Sequence, residues 1–100
     1  MAHRIRWSPQ AVSDVEAIAE YIERDSPFYA KAVVSKIVGV TRRLSEFPLS
    51  GRVVPEMKDD AFREHFVFSY RVIYRIEEEL IIIVAVVHGK RSLRLEWEGL

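Results

Sequence analysis

Two arginines, Arg71 and Arg75, stand four residues apart inside the aromatic and apolar run Tyr70-Arg-Val-Ile-Tyr-Arg-Ile76. A second cationic group, His88-Gly-Lys90-Arg91, follows directly on an apolar run over residues 80–87. Burying a guanidinium costs free energy unless an anion or a partner carboxylate offsets it. Cations set among aromatics therefore suit a surface that meets something negative, either nucleic acid or an acidic protein partner. An internal use stands beside this one. Arg71 and Arg75 share strand parity, and can pair with Glu64 or Glu77 across a hairpin. Residue types alone leave both uses open.

The strands that carry these cations come last in the chain. Residues 62–68, 70–76 and 80–87 read as three strands, with Glu77-Glu78-Glu79 as a solvated turn between the last two. Short connections make them antiparallel neighbours. In the middle strand Tyr70, Val72, Tyr74 and Ile76 fall on the face away from the arginines and belong to the core. The third strand is apolar on both faces, with Leu80, Ile82, Val84 and Val86 on one and Ile81, Ile83, Ala85 and Val87 on the other. That pattern belongs at the centre of a sheet.

Ahead of the strands lie two helices. Ser8-Pro9 supplies an oxygen for the exposed amides and then a proline at the first helical position. Val12, Val15, Ile18, Ala19 and Ile22 make one stripe over residues 9–24, with Asp14, Glu16, Glu20 and Glu23 on its wet side. Ser26-Pro27 repeats the start signal, and a second stripe runs through Ala30, Val33, Val34, Ile37, Val40, Thr41 and Leu44 to about residue 46, where Pro48 stops it. Gly39 inside this helix costs about 1 kcal/mol relative to alanine, and is expected to let the first helix approach closely. Residues 48–55 are a loop by their punctuation, and 56–60 a polar turn or irregular stretch. Residues 3–7 form a short first strand. The expected fold is α+β, β-α-α-β-β-β, with the helical hairpin packed on one face of a small antiparallel sheet. The other face needs a cover: the alternating tail over residues 93–97, as an added strand, or a second protein.

One hundred residues make a single domain over 1–100. Hydrophobic residues are 49% of the chain, enough for a core and too many for disorder. Fifteen basic residues balance fifteen acidic ones. Such neutrality argues against a general nucleic-acid coat, so any attraction for phosphate must be local. Without cysteine there are no disulfides and no thiolate chemistry, which suits a reducing cytoplasm. The eight-residue apolar run is far shorter than the roughly 20 that a helix needs to cross a bilayer. Histidines at 3, 65 and 88 do not have metal-ligand spacing. Neither a metal, a cofactor nor a membrane partner is expected.

The order of these motifs resembles the ParE/RelE superfamily of toxins from type II toxin-antitoxin systems, which includes plasmid stabilisation proteins. The residues that carry the resemblance are Ser8-Pro9, the loop Phe47-Pro48-x-Ser50-Gly51-Arg52, Arg63-Glu64, the run from Tyr70 to Ile76, and Val87-His88-Gly89-Lys90-Arg91. It implies the same fold, a small cytoplasmic bacterial protein, and a cognate antitoxin that wraps a segment around it, a heterotetramer being one of the stoichiometries this allows. Activity divides within the superfamily, and fold alone does not choose. ParE-like members bind DNA gyrase without being nucleases. RelE-like members cleave mRNA on the ribosome.

Metal-free RNA cleavage requires a base, cations for the charged phosphorane and an acid. His88 or His65 would supply the proton transfers, with Arg52, Arg63, Arg71 and Lys90 as stabilisers. The bland alternative makes His88 a hydrogen-bonding residue at a strand end. RelE-like nucleases usually place a tyrosine near the C-terminus, or a Glu-His-Tyr set in some relatives. Here Trp97 is the only aromatic after His88, and it can stack on a base without donating a phenolic proton. The resemblance is therefore closer to the ParE branch, with Arg52, Arg63, Arg71, Arg75, His88, Lys90, Arg91 and Trp97 expected at the partner-binding end of the sheet. A member of this fold that binds its partner without toxicity is the third reading.

Overall fold

A computed structural model of the chain describes residues 2–90. The order is β1 (Arg4–Trp7), α1 (Pro9–Glu23), α2 (Pro27–Leu44), a 3-10 turn (Pro48–Ser50), β2 (Arg52–Val53), β3 (Phe62–Val67), β4 (Tyr70–Ile76) and β5 (Leu80–His88). Both helices start as their serine-proline pairs dictate. Ser8 Oγ accepts from the Ala11 amide at 3.0 Å, and Ser26 Oγ from the Tyr29 amide at 3.1 Å. None of the described helices is long and apolar enough to cross a membrane.

Five strands form one sheet in the order β1-β5-β4-β3-β2. The three later strands pair antiparallel as expected. The expectation of a wholly antiparallel sheet fails at the first strand, because β1 runs parallel to β5, with Arg4 opposite Leu80 and Trp7 opposite Ile83. The stretch read as loop also contributes an edge strand, since Arg52 and Val53 pair with Glu64 and Arg63. Interior strand β5, between β1 and β4, is apolar on both sides for that reason.

Its side chains do not alternate as the sequence suggests. Ile73 pairs with Ala85 and Tyr74 with Ile83, so Val84 is an extra residue, a β-bulge. Beyond the bulge every side chain changes face. Ile81, Ile83 and Val86 pack into the helix-side core, whereas Ala85, Val87 and the partly buried Val84 face away. The bulge leaves backbone groups that side chains satisfy. Ser8 Oγ donates to the Val84 carbonyl at 2.9 Å, and the Ser8 amide donates to the Ile83 carbonyl at 3.0 Å. Past the end of β1, Asp14 Oδ2 accepts from the Val86 amide at 2.9 Å. Asp14, read as the wet side of a helix, thus caps a strand edge.

The main core lies between helices and sheet, built from Ala11 and Ile22 of α1, Val33, Ile37 and Leu44 of α2, and Val72, Tyr74, Ile81, Ile83 and Val86 of the sheet. On the far face Val54, Ile73, Ala85 and Val87 are buried with Met57 and Phe62 beside them. Part of the cover expected there therefore comes from β2 and the loop after it. The tail strand over residues 93–97 lies outside the described residues.

Tyr74 joins the two halves of the molecule. Its hydroxyl donates to the Pro48 carbonyl at 2.7 Å and accepts from the Gly51 amide at 2.9 Å. Gly51 sits so close that a Cβ there would lie 2.5 Å from Tyr74 Oη and 2.6 Å from the Glu64 carbonyl oxygen. Gly39 is the opposite case: a Cβ there meets nothing within 4 Å, so it serves no close helix approach. The same substitution should therefore act with opposite signs at the two sites. We expect Gly39→Ala to stabilise the protein by about 1 kcal/mol. Gly51→Ala should destabilise it by about 2–3 kcal/mol through overpacking against backbone. Urea unfolding of the two variants checks both signs.

Candidate functional site: a buried ion cluster and an exposed strand end

Arg71 lies on the sheet face away from the helices, and it is buried, with 4% of its side chain exposed. Its neighbours across β3 explain how a charge stays there. Arg71 Nε donates to Glu64 Oε1 at 2.6 Å. Its two terminal nitrogens donate to the two carboxylate oxygens of Glu56, at 2.9 and 2.8 Å. Glu64 has no exposed side-chain surface, and its second oxygen accepts from Arg52 Nε at 2.5 Å. Two carboxylates thus face two guanidiniums, and the cluster is neutral. The hydrogen bond to Glu56 is the leading cause that holds the Arg71 pKa above its ordinary value; burial opposes it and Glu64 adds to it. Arg71 is fixed in its charged form.

The internal pairing of Arg71 with Glu64 is one of the two uses its sequence left open. Arg75 follows the other half of that reading, with its Nη2 2.6 Å from Glu77 Oε2. Arg75 also lies 5.9 Å over the Phe62 ring, and Arg52 lies 5.1 Å over Phe66. Glu56 belongs to the stretch read as polar and irregular. No periodic signal links it to a strand arginine fifteen positions on.

The remaining cations are elsewhere. Arg63 pairs with Tyr74 and so faces the helix side, where it donates to the Gly51 carbonyl at 3.1 Å and the Asp60 carbonyl at 3.1 Å. His65 shares that face, stacked on the Tyr74 ring at 6.3 Å, and its Nε2 is 2.8 Å from Ser50 Oγ. Burial, with the Arg43 charge second, lowers the His65 pKa. His88 ends β5, exposed, its ring 5.8 Å from Tyr70 and its Nδ1 accepting from the Lys90 amide at 3.3 Å. Arg91 and Trp97 lie outside the described residues. The cations expected at one end of the sheet are therefore spread over both faces and both ends of β4.

This arrangement makes a strong structural claim about Glu64. Removing its charge would leave Arg71 buried with one partner fewer. Breaking a buried ion pair from one side typically costs about 3–5 kcal/mol. We expect Glu64→Gln near the lower end of that range, because Glu56 still binds Arg71. Chemical denaturation should show a lowered midpoint, and Arg52→Gln, which takes the charged donor from one oxygen of the buried Glu64, should cost less, about 1–3 kcal/mol.

Comparison with known proteins agrees with this architecture. The family model described as the ParE toxin of the type II toxin-antitoxin system, parDE, matches residues 5–93. Protein Y4kP of Sinorhizobium fredii is 43% identical over 91 residues, covering 89% of this chain and 91% of that protein. Toxin RelE2 of Caulobacter vibrioides is 28% identical over 89 residues, covering 88% of this chain and 97% of its own length. Among solved structures, the chromosomal ParDE toxin-antitoxin system of P. aeruginosa contains a chain that superposes with a TM-score of 0.73 at 20% identity, covering 89% of this chain and 98% of that one. The fold, two helices on a five-stranded mixed sheet, is shared, and the chain belongs to the ParE toxin family of type II toxin-antitoxin systems.

Proposed function

We propose that this toxin acts in the cytoplasm by binding DNA gyrase, as ParE-like proteins do, and that a cognate antitoxin holds it inactive. The observation that carries the reading is the occupation of Arg71. A metal-free nuclease needs cations free to meet a phosphorane, close to a proton-transfer group. Arg71 is committed to Glu56 and Glu64. His65 faces the opposite side of the sheet, and His88 stands exposed at the end of β5. Among the described residues, no histidine converges with Arg63 and Arg71 on one cleft. A binder needs no such convergence.

The antitoxin has a surface to cover. Tyr21, Phe28, Tyr29 and Phe68 are all exposed around the helix hairpin and the β3–β4 turn. Tyr29 and Phe68 lie 6.1 Å apart, and Phe68 holds a left-handed backbone with φ of 53°. That conformation costs a non-glycine residue about 1 kcal/mol, which marks the turn as a place where an aromatic is kept at a price in stability. Exposed, adjacent aromatics such as Tyr29 and Phe68 are the usual composition of a protein interface.

A second reading, ribosome-dependent cleavage of mRNA with His88, Arg63 and Arg71, draws on the exposed His88 imidazole beside Lys90. One pair of measurements separates the two. Purified toxin should block supercoiling by gyrase and accumulate cleaved DNA, while transcripts in arrested cells stay intact. Unimpaired supercoiling, with transcripts cut inside codons and cutting lost in His88→Ala, would replace the gyrase reading with the nuclease. Normal growth on expression without antitoxin would leave only a non-toxic binding module.

A further inference from the structure

A second feature lies on the helix side of the sheet, on the face away from the ion cluster. The last turns of α2, the 3-10 turn and β3 border an open cavity of about 350 Å³ lined by Val40, Arg43, Phe47, Ser50 and His65. Its polar groups are of one kind. Arg43 has no carboxylate partner among the described residues. Ser50 Oγ and His65 Nε2, 2.8 Å apart, share a single hydrogen bond across the wall. The His65 ring is held by its stack on Tyr74, whose hydroxyl is tied to the loop that carries Ser50. The wall is thus fixed before anything enters it. No acidic side chain lines the cavity.

The Arg43 guanidinium supplies positive charge, and the Ser50–His65 pair, with one proton spent on its own hydrogen bond, keeps one further O–H or N–H; a phosphate monoester takes such donors. The apolar part of the lining is equally specific. Val40 forms a buried floor, and Phe47 is 60% exposed at the rim. An exposed phenyl ring beside a phosphate site is a stacking platform for a nucleobase. The volume lies within the range of small-ligand sites, roughly 300–1,000 Å³. We propose that this cavity binds a nucleotide, with its phosphate against Arg43, Ser50 and His65 and its base on Phe47. The ligand chemistry is the same for a free mononucleotide and for the phosphorylated end of an RNA strand. The site does not depend on whether gyrase is the toxin's target.

Amide NMR spectra of the full-length, isotope-labelled chain test this directly. Adenosine 5′-monophosphate should shift Phe47, Ser50 and His65 saturably. Adenosine and inorganic phosphate should each bind at least about tenfold more weakly, since each keeps one half of the recognition. Arg43→Ala and Phe47→Ala remove exposed groups, so both should fold and both should weaken binding by about tenfold. A 5′-phosphorylated trinucleotide assigns the source: tighter binding than the mononucleotide means a strand end, weaker binding means a free nucleotide. The proposal is overturned if no saturable shift appears at millimolar nucleotide. It is equally overturned if phosphate alone binds as well as the nucleotide, if the two variants bind normally, or if the shifts centre on Arg71 and Glu56.

Discussion

A carboxylate with no exposed surface must be met by donors on every side, and Glu64 sets that condition for this fold. Its two oxygens take Arg71 from β4 and Arg52 from β2. Arg71 in turn draws Glu56 in from the loop between β2 and β3. Desolvating Glu64 and Arg71 costs several kcal/mol per ion, and only close, complete pairing offsets it. The two-residue strand β2 therefore has more than its few backbone bonds to hold it, and the loop after it is tied down over the far face of the sheet. Val54 and Met57 can cover Ile73 and Val87 because Glu56, between them, is anchored.

Strand β5 plays the corresponding part on the helix side. Its bulge at Val84 breaks alternation, and the break is stabilised from one helix start. Ser8 serves the first turn of α1 with one interaction and the bulge carbonyl with another, so helix start and strand irregularity are fixed together. Six residues on, Asp14 meets the Val86 amide, to which Gln10 adds a bond on the other carboxylate oxygen at 2.7 Å. An edge amide capped in this way is closed to pairing with a stray strand. At the other end of β1, Ser45 Oγ donates to the His3 carbonyl at 2.6 Å, which ties the close of α2 to the same edge.

These contacts explain what the chain discloses before it folds and what it withholds. Helix starts are local chemistry, a serine oxygen within three residues of its amide, and both were legible from the serine-proline pairs. The antiparallel run from β3 to β5 follows from short connections. The partner of β1 does not, because no local signal selects which edge a first strand joins, or in which direction. The bulge was hidden for a related reason. In an unbroken aliphatic run either register looks equally apolar, so only the neighbours across the sheet decide which face Val86 takes. Asp14 was misread because a polar residue on a helix has the same local pattern whether it meets water or a backbone amide 72 residues away; Glu56 was legible as part of a turn, but not as the partner of Arg71. Arg71 was legible as an anomaly, and its partner Glu64 as one of two uses. Arg43 gave no signal, since a helix-end arginine is ordinary, and Ser50 stood out only as part of a loop motif until the fold set both beside His65.

The sheet thus divides the molecule's charges by use. On the far face, the cations Arg52, Arg71 and Arg75 all have carboxylates, and their field is largely cancelled within a few ångströms. On the helix face Arg63 meets only backbone carbonyls and Arg43 no carboxylate among the described residues. A carbonyl supplies a dipole where a carboxylate supplies a charge, so Arg63 keeps most of its positive potential. A chain of zero net charge can still attract an anion locally when its pairing is this uneven. The arginines most conspicuous in the sequence, Arg71 and Arg75, are ones whose charge is internally neutralised. The two left with reach beyond the molecule are solvated differently: Arg43 stands exposed near the end of α2, and Arg63, within β3, is met by the Gly51 and Asp60 carbonyls.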